Sequence, residues 1–175
     1  DIVLNPGVSF EFDYNPTGNL VLDGGEIYTN KVTVTGVDDE ITVAMDDDDH
    51  TIMGTDVAPS ITVVKTLDVS SDGNVVFTDD EYVKEGTSGL TAEYRYAVTN
   101  TSAASTDPVT LTTLFDDKVG DILTLGTVIS KTGGDADTDF EPGETWTYAV
   151  TSVALPVLND KESYVNNVDV QGKDD

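Results

Sequence analysis

Residues 90–99 read Leu-Thr-Ala-Glu-Tyr-Arg-Tyr-Ala-Val-Thr, and every second position (Leu90, Ala92, Tyr94, Tyr96, Val98) is apolar or aromatic. Successive side chains of a β-strand point to opposite faces, so this period of two buries one face and wets the other. The same alternation runs through Val8–Tyr14, Ile27–Thr35, Ile61–Leu67, Val109–Leu114, Glu144–Val153 and Ser163–Val170. Turn-forming clusters (Asn15-Pro16-Thr17-Gly18, Ser71-Asp72-Gly73-Asn74, Thr132-Gly133-Gly134-Asp135) separate these runs, and no segment sustains a helical apolar stripe over three turns. The pattern predicts an all-β, antiparallel fold of sandwich type.

An internal repeat orders these strands. Sliding the N-terminus by 136 positions lays Pro6-Gly7 on Pro142-Gly143, Phe10 on Trp146, Phe12 on Tyr148, Val21-Leu22 on Val157-Leu158, Glu26 on Glu162, Tyr28 on Tyr164, Asn30 on Asn166, Val32 and Val34 on Val168 and Val170, and Asp38-Asp39 on Asp174-Asp175; 13 of 39 aligned positions are identical. Residues 1–39 and 137–175 are therefore the same part of a unit about 136 residues long. The expectation is two unfinished sandwiches. Residues 1–58 carry only late strands, including Ile41–Met45 and His50–Met53, too few to cover a core; residues 59–175 carry early and middle strands but no counterpart of Ile41–Met53. Two readings fit: neighbouring repeats in one longer chain finish both sandwiches, or separate copies join head to tail, each donating strands the other lacks.

Lys and Arg together number 8 against 34 Asp and Glu, a net charge of -26. Phosphate binding needs cations, so nucleic acid and anionic lipid are excluded as natural partners. Carboxylates a few ångströms apart repel by roughly a few kcal/mol per pair at an effective dielectric near 20, so dense acidic loops need salt or a bound metal. Cysteine is absent, which removes disulfides and thiolate sites and makes a metal the available staple. The segment has no apolar run long enough to insert directly into a membrane and no leader of its own, so any export signal or anchor is expected outside it.

Three acidic stretches are candidate calcium sites. Asp68 to Asp79 places oxygen side chains at Asp68, Ser70, Asp72 and Asn74, with Gly73 next and Asp79 last, close to the EF-hand loop pattern but without the helices. Calcium takes about six to eight hard oxygens, which such a turn can wrap. In the second stretch Asp135, Asp137, Asp139, Glu141 and Glu144 alternate so as to converge on one ion, with Phe140 plugging the loop into the core. The aligned N-terminal residues 1–8 have lost nearly every acid. The third stretch is Asp38-Asp39-Glu40 with Asp46–Asp49, of which Asp38, Asp39, Asp47 and Asp49 are the candidate ligands; an acidic run is as readily a solvated face.

The remaining features are plainer. His50, the sole histidine, is expected at the surface. Trp146, Tyr148 and their counterparts Phe10 and Phe12 are expected to anchor cores rather than stack on sugars. Asn100-Thr101-Ser102 is a sequon that could carry a glycan on an exposed turn. No cysteine, phosphate loop or nucleophile elbow is present, and the acids are accounted for by calcium loops, so catalysis is not expected.

The strings FEPGETWTY (140–148), YRYAVTNT (94–101), DPVTL (107–111) and VTVTG (32–36) ahead of Asp38-Asp39 resemble the Ig-like repeat modules of large bacterial and archaeal surface proteins. The resemblance implies tandem Ig-like β-sandwiches, secretion to the cell surface and calcium loops ending in a PGE turn. With the residues, it gives the expectation of an extracellular structural module that assembles end to end with neighbouring copies and is rigidified by Ca2+. The alternative is a calcium-dependent adhesin or glycan-binding accessory module.

Overall fold

The computed structural model describes residues 2–15, 18–70, 75–104, 107–135 and 137–174. The chain divides into two units, Asp1–Asp56 and Val57–Asp175.

In the second unit, two antiparallel sheets form an all-β sandwich. Its strands are β3 (Ile61–Val69), β4 (Thr91–Asn100), β5 (Thr110–Asp116), β6 (Gly120–Asp121), β7 (Thr127–Thr132), β8 (Thr145–Ala154) and β9 (Val168–Lys173), with one helical turn, α1 (Ile122–Leu125). One sheet has the order β3-β4-β8-β7 and the other β6-β5-β9. The alternation of residues 90–99 is realised in β4, where Ala92, Tyr94, Tyr96 and Val98 are all at most 2% exposed. Leu114 of β5, Ile122, Phe140 and Tyr148 of β8 complete the core, with Trp146, Val168 and Val170 packed half-buried against it. β7 was not anticipated: none of its side chains is buried, and it is held by pairing with β8 (Val128 opposite Tyr148, Lys131 opposite Trp146).

One charged pair is enclosed in this sandwich. The fully buried Asp116 accepts from the Tyr96 hydroxyl at 2.8 Å, from the backbone N–H groups of Lys118 and Val119 at 2.9 Å each, and from Lys65 Nζ at 2.8 Å. Lys65 also donates to the Asn166 carbonyl at 3.0 Å. Burial, then the bond to Asp116, pushes the Tyr96 hydroxyl far above its ordinary range, so it remains a donor.

The first unit contains the hairpin of β1 (Ile27–Val37) and β2 (Val43–Met53), paired over its full length from Ile27 opposite Met53 to Val37 opposite Val43. Every side chain of both strands is exposed. The expected strand at Val8–Tyr14 does not form. Phe10 and Phe12, expected as core anchors, meet each other edge to face at 4.7 Å but stay 54% and 72% exposed. The difference from Trp146 and Tyr148 is the lack of a second sheet to cover them: a two-stranded ribbon has no inside.

The aligned segments nevertheless build the same turns. Val8 N–H donates to the Asn5 carbonyl at 3.0 Å as Glu144 N–H does to Glu141 at 3.1 Å. Likewise Asp23 N–H bonds the Glu26 carboxylate as Asn159 N–H bonds that of Glu162. Lys161 adopts the left-handed φ of 65° where its aligned partner is Gly25 at φ 80°. They diverge in strand length: β1 starts at Ile27, whereas β9 starts at Val168, the position aligned with Val32. β1 has a partner along its whole length; β5 pairs β9 only from Val168 to Lys173.

Candidate metal centre

Among the described residues, one group of three or more acids brings its oxygens together: Asp135, Glu141 and Glu144, with one carboxylate oxygen from each within 4.8 Å of the others. It sits in the connection from β7 to β8, anchored to the sandwich from two sides. Phe140 is 2% exposed and lies 5.0 Å from the Trp146 ring, so the expected plug is in place. Asn100, at the end of β4, fastens the backbone: its N–H donates to the Glu144 carbonyl, its carbonyl accepts from Gly143 N–H, and its Nδ2 donates to the Phe140 carbonyl at 2.7 Å.

Glu144 is the unusual member, at 1% exposed. Its Oε2 accepts from Trp146 Nε1 at 3.1 Å and from the Glu141 N–H at 3.2 Å. Its Oε1 is buried with no hydrogen-bond partner. A buried carboxylate oxygen without a partner costs several kcal/mol unless something outside the chain neutralises it. Gly134 makes room for this carboxylate, because a Cβ there would run into Glu144 Oε1 and Cδ. The site's electrostatics are strained in the same sense: Asp135 foremost, then desolvation, Asp137, Glu144 and Asp139, hold the Glu141 carboxyl above its ordinary range.

Hard carboxylate oxygens, half exposed and without nitrogen or sulfur ligands, suit calcium, whose flexible coordination tolerates mixed one- and two-oxygen carboxylates. Three carboxylates offer up to about six oxygens, and waters on the exposed side can supply the rest. Lys131 flanks the loop: its Nζ lies 3.7 Å from the Trp146 ring centroid and bonds the Asp137 carbonyl.

Three of the five expected acids form this group. The Asp135 Oδ1 also accepts from the Asp137 N–H at 3.2 Å and the Asp137 Oδ1 from the Asp139 N–H at 2.8 Å, so the carboxylates of Asp135 and Asp137 brace the loop's own turns. Of the Asp68–Asp79 loop, Asp72 and Asn74 lie outside the described residues; Asp68 accepts from Val76 N–H at 3.1 Å, Ser70 bonds Thr91, and Asp79 lines a nearby cavity. The acidic belt is not drawn together. Asp38 closes the β1–β2 turn by accepting from Thr42 N–H at 2.6 Å, Asp39 follows it in that turn, and Asp47 and Asp49 lie inside β2. A strand sends neighbouring side chains to opposite faces, so Asp47 and Asp49 share one face of β2 and Asp46 and Asp48 the other; Asp47 pairs with Lys31 at 2.5 Å. His50 is exposed in the same strand. Asn100 is fully buried with its side-chain nitrogen bonded, which leaves no room for a glycan in the folded unit. The signal that singles out Asn100 is its place at the end of the alternating run, on the face of Tyr96 and Val98.

The described residues contain no helix long and apolar enough to cross a membrane. No protein family, curated protein or solved structure matches the chain.

Proposed function

We propose that the chain is an extracellular structural module of Ig-like repeats, stiffened by calcium at Asp135, Glu141 and Glu144 and assembling end to end with further copies of itself. The observation that carries the calcium reading is the partnerless buried oxygen of Glu144 beside two further carboxylates. An ion there ties the β7–β8 connection to the end of β4 through Asn100, converting a self-repelling loop into a fixed corner. The assembly reading draws on the hairpin, whose Val32 and Val34 are 65% and 62% exposed while the aligned Val168 and Val170 pack against a core. A sugar-stacking role for the aromatics beside the loop is disfavoured, because Trp146 is already covered by Phe140 and Lys131.

The test is thermal unfolding with and without chelator. Calcium at a hundredfold excess over its dissociation constant adds about 2.7 kcal/mol, which for a unit of this size raises the melting temperature by roughly 8–15 °C. Trp146, the sole tryptophan, donates to a ligand carboxylate and should report binding by fluorescence. A melting curve that EGTA and calcium leave unmoved removes the metal from the proposal. Light scattering across a concentration series tests assembly separately.

A further inference from the structure

The enclosed pair of Lys65 and Asp116 has a third reactive group beside it. The Lys65 side chain is 12% exposed, whereas the other lysines in ion pairs, Lys31, Lys118 and Lys161, are 36–88% exposed. Its Nζ meets Asp116 Oδ2 at 2.8 Å and the backbone carbonyl of Asn166 at 3.0 Å, and lies 5.1 Å from the Tyr94 ring centroid. The side-chain oxygen and nitrogen of Asn166 are buried as well, and its amide bonds the Tyr94 hydroxyl. Amine and amide thus converge on one tyrosine, beside a buried carboxylate. They come from distant parts of the unit: Lys65 lies in β3, Asp116 ends β5, and Asn166 stands two residues before β9. A primary amine, a carboxamide and a carboxylate in one enclosure are the parts of an acyl transfer: nucleophile, electrophile and proton carrier.

We infer that Lys65 and Asn166 join through an amide bond between their side chains, with Asp116 as the acid–base catalyst. A proton crosses the 2.8 Å contact from Lys65 to Asp116 and leaves a neutral amine. Once the Asn166 amide carbon comes within about 3–3.5 Å of Nζ, the amine lone pair adds to it. The tetrahedral carbon then breaks its bond to Nδ2. Lys65 gives up two of its three protons by way of Asp116, one completing ammonia and the other converting it to ammonium, and keeps the third as the new amide N–H. The carboxylate is regenerated, nothing is oxidised or reduced, and no co-reactant enters. Lys65, Tyr94 and Asn166 all line a cavity of about 940 Å³, which gives the released ammonium a way out. The reaction happens once per chain, so a rate far below the roughly 10 s⁻¹ of an ordinary enzyme suffices. The product ties β3 to the segment entering β9, across the two sheets, and constrains the unfolded chain as a disulfide would in a chain without cysteine. It draws on neither calcium nor a second copy.

Mass spectrometry of the whole denatured chain tests the bond without any substitution. The expected mass is that of the sequence less one ammonia, and a protease digest should yield a branched peptide joining the residues around Lys65 to those around Asn166. The full sequence mass would overturn the bond. So would an ammonia loss that maps to a succinimide within a linear peptide. Lys65→Arg and Asn166→Ala are each expected to restore the full mass expected from their own sequences. Asp116→Asn, which keeps the shape of the side chain, should lower the lighter species at least tenfold in freshly purified protein, with Trp146 fluorescence reporting that the core has formed. A folded Asp116→Asn chain that cross-links as fully as the parent would remove the carboxylate from the reaction.

Discussion

Glu144 and Asp116 are both buried carboxylates, and they differ in how far the chain itself meets their oxygens. Asp116 receives donors from Tyr96, Lys118, Val119 and Lys65 and needs nothing further. Asp116→Ala strands the Lys65 ammonium, 12% exposed, and should cost about 3–5 kcal/mol in a denaturant titration. Glu144 has one oxygen met and one not. Glu144→Gln is therefore expected to abolish the calcium-induced rise in melting temperature while costing little stability in EGTA. Gly134→Ala pushes against the same carboxylate and should weaken calcium binding at least tenfold by fluorescence titration. Glu141 supplies a pH signature. Its folded-state carboxyl is held above the ordinary range, so its favourable contribution is full below the unfolded value and is lost as pH rises through the folded one. In EGTA the melting temperature should fall across that window, Glu141→Gln should flatten the fall, and calcium should remove it.

Strands with one buried face were legible, and so was β1, whose alternation survives without a core; β7 was not. β4 and β8 display their partners in their own alternation, because the core selects every second side chain. β7 buries nothing, so no side-chain pattern marks it; only its ladder to β8 holds it. The run Val8–Tyr14 has the pattern but no sheet to join. Val43–Met45 and His50–Met53 join into one strand through four aspartates, leaving Ile41 in the turn, since an exposed ribbon imposes no penalty on charge at any position. The acidic spacing of 135–144 marks this loop as a candidate, but which acids come together depends on Phe140 and Asn100 fixing the backbone, which spacing alone does not encode. The β1–β2 turn also carries Ile41 at φ 68°, 81% exposed, a left-handed position that a β-branched residue adopts at a cost of about 1–2 kcal/mol. Ile41→Gly should relieve it, visible as slower amide exchange in β1 and β2.

The two units differ in what holds them. Val57–Asp175 has a closed core, a buried ion pair and a candidate metal loop, whereas the hairpin of Asp1–Asp56 is a bare ribbon, marginal by itself. Hydrogen exchange should show this directly: amides of β4 and β8 exchanging only by global unfolding, and those of β1 and β2 orders of magnitude faster. Within the sandwich, the side chain of Ile61, at the start of β3, lies against Gly172 at the end of β9. The start of β3 and the end of β9 thus meet at one pole of the sandwich. A pull on those two points would part the pole first and open the ladders one rung at a time, the weak direction for a sheet. Held by those two points, the sandwich is a zipper rather than a link in a cable.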